Sequence, residues 1–187
     1  MLEETTELIK FIISIISPPI AGYFGLKFGL KQIKIRKKLD FIEKQLNSFY
    51  SPLLGIHKEI RAKSELRVKI EKAGHEVWQE KCSAEKNPDI TPVKDEIKYN
   101  NEQLKNEFIP QYNDMLKVFK DYYWLAEPET KKYYFELVEF VEIWNRDQNN
   151  GIQPEIIEKI GHSEKKLQPF YQELEERTDI LRKKLSK

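Results

Sequence analysis

The chain changes its pattern of apolar and polar positions near residue 40. No charge falls between Lys10 and Lys27, and Phe11 to Leu26 reads FIISIISPPIAGYFGL. Sixteen helical residues reach about 24 Å, short of the ~30 Å hydrocarbon core of a bilayer. Extending to Leu30 adds a single charge, Lys27, close enough to the end to snorkel. A buried helix of a soluble fold is the competing reading of so short a run. The flanks favour the membrane: Glu3, Glu4 and Glu7 lie upstream against Lys10, whereas Lys27, Lys31, Lys34, Arg36, Lys37 and Lys38 follow with no acid among residues 27–38. The positive-inside rule then places the N-terminus outside and the rest of the chain in the cytoplasm. A cleaved signal peptide begins basic, and this segment begins acidic and runs directly into helix-like sequence. Residues 1–30 therefore read as a retained, single-pass anchor.

Small residues within this segment are ordered. Ser14, Ser17, Ala21, Gly25 and Gly29 recur at spacings of three and four and share one helical face. Such faces let backbones approach closely in lipid, where water does not drive association. Pro18 and Pro19 remove two backbone donors and predict a helix break or kink, whose freed carbonyls an oligomer or a water-filled lumen can satisfy. The face is thus a candidate for oligomerisation or pore lining, and the basic run a candidate for anionic headgroups.

The helical period continues downstream. Ile35, Leu39, Ile42, Leu46 and Phe49 form a heptad-like stripe over residues 31–50. Ser51-Pro52 reads as a helix start, residues 83–92 as a linker, and Thr91-Pro92 as a second start opening a helix to about residue 125, bent at Pro110. Pro128 starts a fourth helix, with Tyr134, Leu137, Val138, Val141 and Trp144 on one face and Phe135 and Phe140 broadening it. Asn149-Asn150-Gly151 ends it. Ser163 caps a last helix carrying Leu167, Phe170, Leu174, Leu181 and Leu185. No strand alternation and no internal repeat is evident. The expected fold is all-α: one N-terminal transmembrane helix, a juxtamembrane amphipathic helix, and a cytoplasmic helical bundle over 51–187.

Composition sharpens this picture. With 187 residues, 40% hydrophobic and 12% aromatic, the chain can bury a core. The net charge of +1 averages unlike parts, because residues 39–187 alone carry 25 basic and 28 acidic side chains. A mildly acidic body is a poor nonspecific nucleic-acid binder. The single cysteine, Cys82, excludes an internal disulfide.

Catalytic patterns are missing from the sequence. His57, His75 and His162 are scattered, with surface or helix-terminal positions as the default for each, and no metal-ligand spacing or phosphate-binding glycine loop occurs. Glu136, Glu139 and Glu142 lie between apolar positions and read as a solvated face. HEPN ribonucleases place an arginine four to six residues before a histidine, and none of the six arginines does so; Arg67 and His75 have seven residues between them. The chain is expected to be neither an enzyme nor a metal or cofactor protein.

FIEKQLNSFYSPLL, from Phe41 to Leu54, resembles a segment of small bacterial membrane proteins with one N-terminal span. With the size and topology, the chain resembles the membrane accessory proteins of type VI-B CRISPR systems, which implies a divergent HEPN-like body and a ring-shaped pore beside an RNA-guided RNase. Membrane effectors of type III systems, gated by cyclic oligoadenylate, share the layout. The expected function is a homo-oligomeric inner-membrane pore that permeabilises or depolarises the membrane in antiphage defence, with lipids and copies of itself as partners. A membrane-tethered module that recruits a nucleotide or protein is the alternative, and a ribonuclease the third.

Overall fold

A computed structural model describes the backbone of residues 2–186 and the side chains from Gly22 onward, Phe24 and Lys187 excepted. Every regular element among the described residues is helical. The chain divides into two compact units, Met1–Glu43 and Lys44–Lys187, the division falling inside the predicted juxtamembrane segment 31–50.

The first unit belongs to α1, Leu2–Gln45, which continues through Pro18 and Pro19 without ending there. The side chains of Ser14, Ser17, Pro18, Pro19 and Ala21 lie outside the described residues. Among the described residues, no helix is long and apolar enough to cross a membrane. The stripe predicted over 31–50 divides by burial: Ile35 and Leu39 are exposed, whereas Ile42, Leu46 and Phe49 are buried.

Ser51-Pro52 does not begin a new helix. The backbone passes from α1 through a π-turn, Leu46–Tyr50, into α2, Ser51–Ala84, with helical dihedrals at both junctions. The Ser51 N–H bonds to Leu46 O, five residues back. Proline brings no donor, and in an α-helix its ring presses on the carbonyl four residues earlier. Widening the turn just before Pro52 relieves that contact where the missing N–H breaks the ladder. The device recurs at Pro110. There α3, Thr91–Gln103, passes through a second π-turn, Leu104–Phe108, into α4, Ile109–Asp121, and the Ile109 N–H bonds to Leu104 O. Both prolines stand six residues after a leucine and two after an aromatic residue.

Between α2 and α3 the predicted linker is present, and Asp89 Oδ1 accepts from the Thr91 N–H at 2.9 Å, so Asp89 caps the helix that Thr91 was expected to cap. Pro128 opens only the four-residue α5, Pro128–Lys131, and the long core helix α6 begins at Tyr134 and ends at Gln148. Phe135 stays 73% exposed, outside the core face assigned to it. The end of α6 is a Schellman turn: Asn150 takes φ 53°, Gly151 N–H bonds to Arg146 O at 2.7 Å, and Asn150 N–H bonds to Asp147 O. A second such turn, with Gly161 at φ 63°, closes α7, Pro154–Lys159, and sets the position of His162. Ser163 accepts from the Lys165 N–H, as expected, ahead of α8, Gln168–Leu185.

The core of the second unit lies among α2, α4, α6 and α8. Phe119 is fully buried at its centre, with ring centroids 5.1 Å from Phe49, 5.2 Å from Tyr134 and 5.7 Å from Phe170. The helices also reveal an internal repeat that periodicity alone did not. Glu43-Lys44-x-Leu46-x-x-Phe49-Tyr50-x-x-Leu53 matches Glu164-Lys165-x-Leu167-x-x-Phe170-Tyr171-x-x-Leu174, residue for residue. Burial extends the match: Leu46, Phe49, Tyr50, Leu53, His57 and Ile60 are buried, and so are their counterparts Leu167, Phe170, Tyr171, Leu174, Thr178 and Leu181. The two copies pack antiparallel, since Tyr50 lies beside Arg177 whereas His57, seven residues on, lies beside Tyr171.

Candidate functional site

The residues singled out on α1 are open to their surroundings where the structure describes them. Lys27, Lys31, Lys34, Arg36, Lys37 and Lys38 are all exposed. Lys27, Lys31, Lys34 and Lys38 fall at spacings of four, three and four and so share one face. Interleaved with them, Leu26, Phe28, Leu30, Ile33 and Ile35 are also exposed, Leu26 at 67% and Phe28 at 65%. A Cβ added to Gly25 or Gly29 would meet no atom within 4 Å. Among the described residues nothing therefore requires glycine at either position, and both leave a shallow, backbone-lined surface.

Within the second unit, a polar network ties the entry of the chain to α5 and α8. Gln45 is buried and donates from Nε2 to Leu125 O at 2.8 Å and to Glu127 Oε1 at 3.3 Å. The Tyr50 hydroxyl accepts from the Glu127 N–H and pairs with Thr130 Oγ1, both at 3.0 Å. Thr130 in turn donates to Glu173 Oε1, which also accepts from Arg177 Nε at 2.8 Å. Burial raises the Tyr50 pKa, keeping the phenol protonated. This network satisfies buried polar atoms of Gln45, Tyr50 and Thr130 and links the π-turn ahead of α2 to α5 and α8.

His57, expected at a surface or helix end, is 3% exposed in the second turn of α2. Its ring stacks on Tyr171, and its Nδ1 has no hydrogen-bond partner. Burial, followed by the neighbouring Lys58, lowers its pKa to about 4, so the imidazole is neutral. Lys58 pairs with Glu175 across the α2–α8 contact, and Arg61 stands one turn beyond His57. The signal for this site lay in the repeat, where His57 occupies the position of the buried Thr178.

His162 follows a helix end, as predicted, against Phe140 and Trp144, with ring centroids at 4.6 and 5.2 Å. It borders a cleft of about 320 Å³ with Glu136, Glu139, Phe140 and Lys166. Partial burial, then Lys166, lowers its pKa. His75 is exposed and pairs with Gln79, and Cys82 is an exposed free thiol. Among the described residues no three His, Cys, Asp or Glu side chains cluster as metal ligands.

Aromatic residues outside the core gather between α4 and α5. Tyr122, Tyr123 and Trp124 are 37%, 41% and 53% exposed. Lys44 Nζ lies 4.9 Å from the Trp124 ring centroid, and Lys131 Nζ lies 4.9 Å from that of Tyr123. No family model matches the chain, and neither the curated proteins nor the solved structures include a detectable relative.

Proposed function

We propose that the chain is a single-pass inner-membrane protein that self-associates through α1 to permeabilise the membrane, with the helical second unit in the cytoplasm. The observation that carries this reading is the described part of α1, where large apolar side chains and six cations are exposed together. Water disfavours such a surface, whereas a bilayer covers its apolar residues and its anionic headgroups take the lysines. The charge-free run from Phe11 and the small-residue stripe through Gly25 and Gly29 support anchoring and close packing of copies. The antiphage setting, beside an RNA-guided RNase, comes from the resemblance carried by residues 41–54 together with the size and layout of the chain.

Light scattering of the full chain in detergent, together with dye release from vesicles holding it, tests the proposal. An oligomer that releases dye is expected, with both properties lost in Gly25→Leu/Gly29→Leu. A monomer that leaves vesicles intact overturns the pore. A membrane-tethered binding module is the second reading, favoured by the exposed Tyr122, Tyr123 and Trp124, the last two beneath lysine ammonium groups. Replacing residues 11–30 by a plain polyleucine span separates the two, since a tether keeps its activity and a pore loses it.

A further inference from the structure

The outer part of α2 carries an apolar stripe that its own fold leaves open. Ala62, Leu66, Ile70, Ala73 and Val77 recur at spacings of four, four, three and four, so they lie on one side of the helix. All five are exposed, with Leu66 at 57%, Ile70 at 52% and Val77 at 51%. In an ordinary helical hairpin such a stripe would face the partner helix. Here other residues fill the seam between α2 and α3, where Gly74 and Trp78 line one cleft with Val93, Glu96, Ile97 and Asn100. Asn100 Nδ2 donates to Glu71 Oε1 at 3.2 Å, and Arg67 pairs with Glu71 at 3.4 Å. The Glu96 carboxylate comes within 3.1 Å of where a Cβ on Gly74 would stand, so glycine admits α3 at that point. Helix α3 buries none of its side chains. These contacts hold the hairpin and leave the stripe exposed along its flank, where Leu66 and Ile70 line a groove of about 130 Å³ with Arg67 of α2 and Tyr99 and Asn100 of α3.

The geometry points to a second copy of this chain as the occupant, its stripe laid antiparallel on the first about Ile70. Size decides the direction. An antiparallel pair centred there sets Leu66 against Ala73 and Val77 against Ala62, large against small in each layer, with Ile70 meeting Ile70. A parallel pair sets Leu66 on Leu66 and Ala73 on Ala73, crowding one layer and leaving a void in the next. Charge agrees. Residues 58–69 hold five cations and two anions, whereas residues 70–81 hold two cations and three anions. Antiparallel pairing brings the positive half of one helix over the slightly negative half of its partner, and parallel pairing stacks the two positive halves. The shared patch is self-complementary, as a two-fold interface requires. It does not depend on the membrane reading, because no α1 residue takes part.

Disulfide trapping of the full chain tests this pairing, in a Cys82→Ser background with one cysteine added at a time. Ile70→Cys is expected to cross-link to itself at least about tenfold faster than Val68→Cys on the opposite face, because disulfides form only at short, well-directed Cβ separations. Differently tagged Leu66→Cys and Ala73→Cys copies should cross-link to each other faster than either does to itself. The native Cys82 should not self-link, since the pairing places the two thiols roughly 36 Å apart along the axis. Equal rates for Ile70→Cys and Val68→Cys overturn the proposal, and so does preferential self-linking of Leu66→Cys. Repeating the Ile70→Cys reaction with Gly25→Leu/Gly29→Leu distinguishes it from assembly through α1: the cross-link persists if α2 forms the interface and vanishes if α1 alone brings copies together.

Discussion

The His57 imidazole lies flat on the Tyr171 phenol ring, with centroids 3.6 Å apart and planes inclined by 17°. This contact joins the two copies of the internal repeat, and the burial that comes with it keeps the histidine neutral. A protonated ring there would be desolvated beside Lys58, and the opposing attraction of Glu175 does not make up for this, with Arg61 also adding positive charge. The neutral form is therefore part of the folded state.

That contact predicts a specific pH dependence. The unfolded chain takes up a proton near pH 6.5, whereas the folded His57 does so only near pH 4. Its contribution is complete above pH 6.5 and is lost as pH falls toward 4, because the unfolded state binds more protons in that window. Denaturant midpoints should fall over that range by at most about 3 kcal/mol in unfolding free energy. The same series on His57→Phe, which keeps an aromatic ring on Tyr171, should lack this component. An unchanged slope in the variant would show that other groups set the dependence.

The repeat also predicts unequal costs at equivalent tyrosines. Tyr50 accepts from the Glu127 N–H and pairs with Thr130, so Tyr50→Phe leaves a buried amide and a threonine hydroxyl without that partner. Its cost should be about 1–3 kcal/mol in urea unfolding. Tyr171 donates to Glu164 across a longer 3.4 Å, so Tyr171→Phe should cost less. Equal losses would mean that the network around Thr130 contributes nothing beyond ring burial.

Core and hairpin leucines should separate just as clearly. Leu53→Ala and Leu174→Ala remove fully buried side chains at matching repeat positions and should each cost about 2–5 kcal/mol. Leu66→Ala, on the open stripe, should stay within about 0.5 kcal/mol for the monomer. Thermal and chemical unfolding at low concentration measure both.

Orientation in the membrane can be read from the single thiol. In the proposed topology, exposed Cys82 is cytoplasmic and escapes a membrane-impermeant maleimide in intact cells. Changing Lys31, Lys34, Arg36, Lys37 and Lys38 to glutamine should produce a mixed orientation and partial labelling. Full labelling of the unaltered chain would reverse the topology.

Much of the second unit was legible from periodicity. Of the face predicted on the last helix, Leu167, Phe170, Leu174 and Leu181 are buried whereas Leu185, in its final turn, is exposed; the Ser163 cap and the Asn149–Gly151 stop are in place. Ser51-Pro52 misled because a cap-like dipeptide has the same local sequence whether a helix begins there or a π-turn carries one through. His57 was missed because a lone histidine carries no apolar signal, and its burial depends on Tyr171, far away in sequence. The repeat escaped notice because one copy runs through the middle of a continuous helix and the other straddles a helix start. On α1, the basic run is exposed as its charge requires, while Ser14, Ser17 and Ala21 lie outside the described side chains.

The π-turn at Leu46–Tyr50 has a further consequence. A turn that holds one residue more than an α-turn shifts the azimuth of every side chain after it, as a spline shifts the teeth of a shaft. The helical path from α1 into α2 therefore need not keep a single apolar face from end to end. The proline that would otherwise break the helix thereby marks the place where its phase is reset.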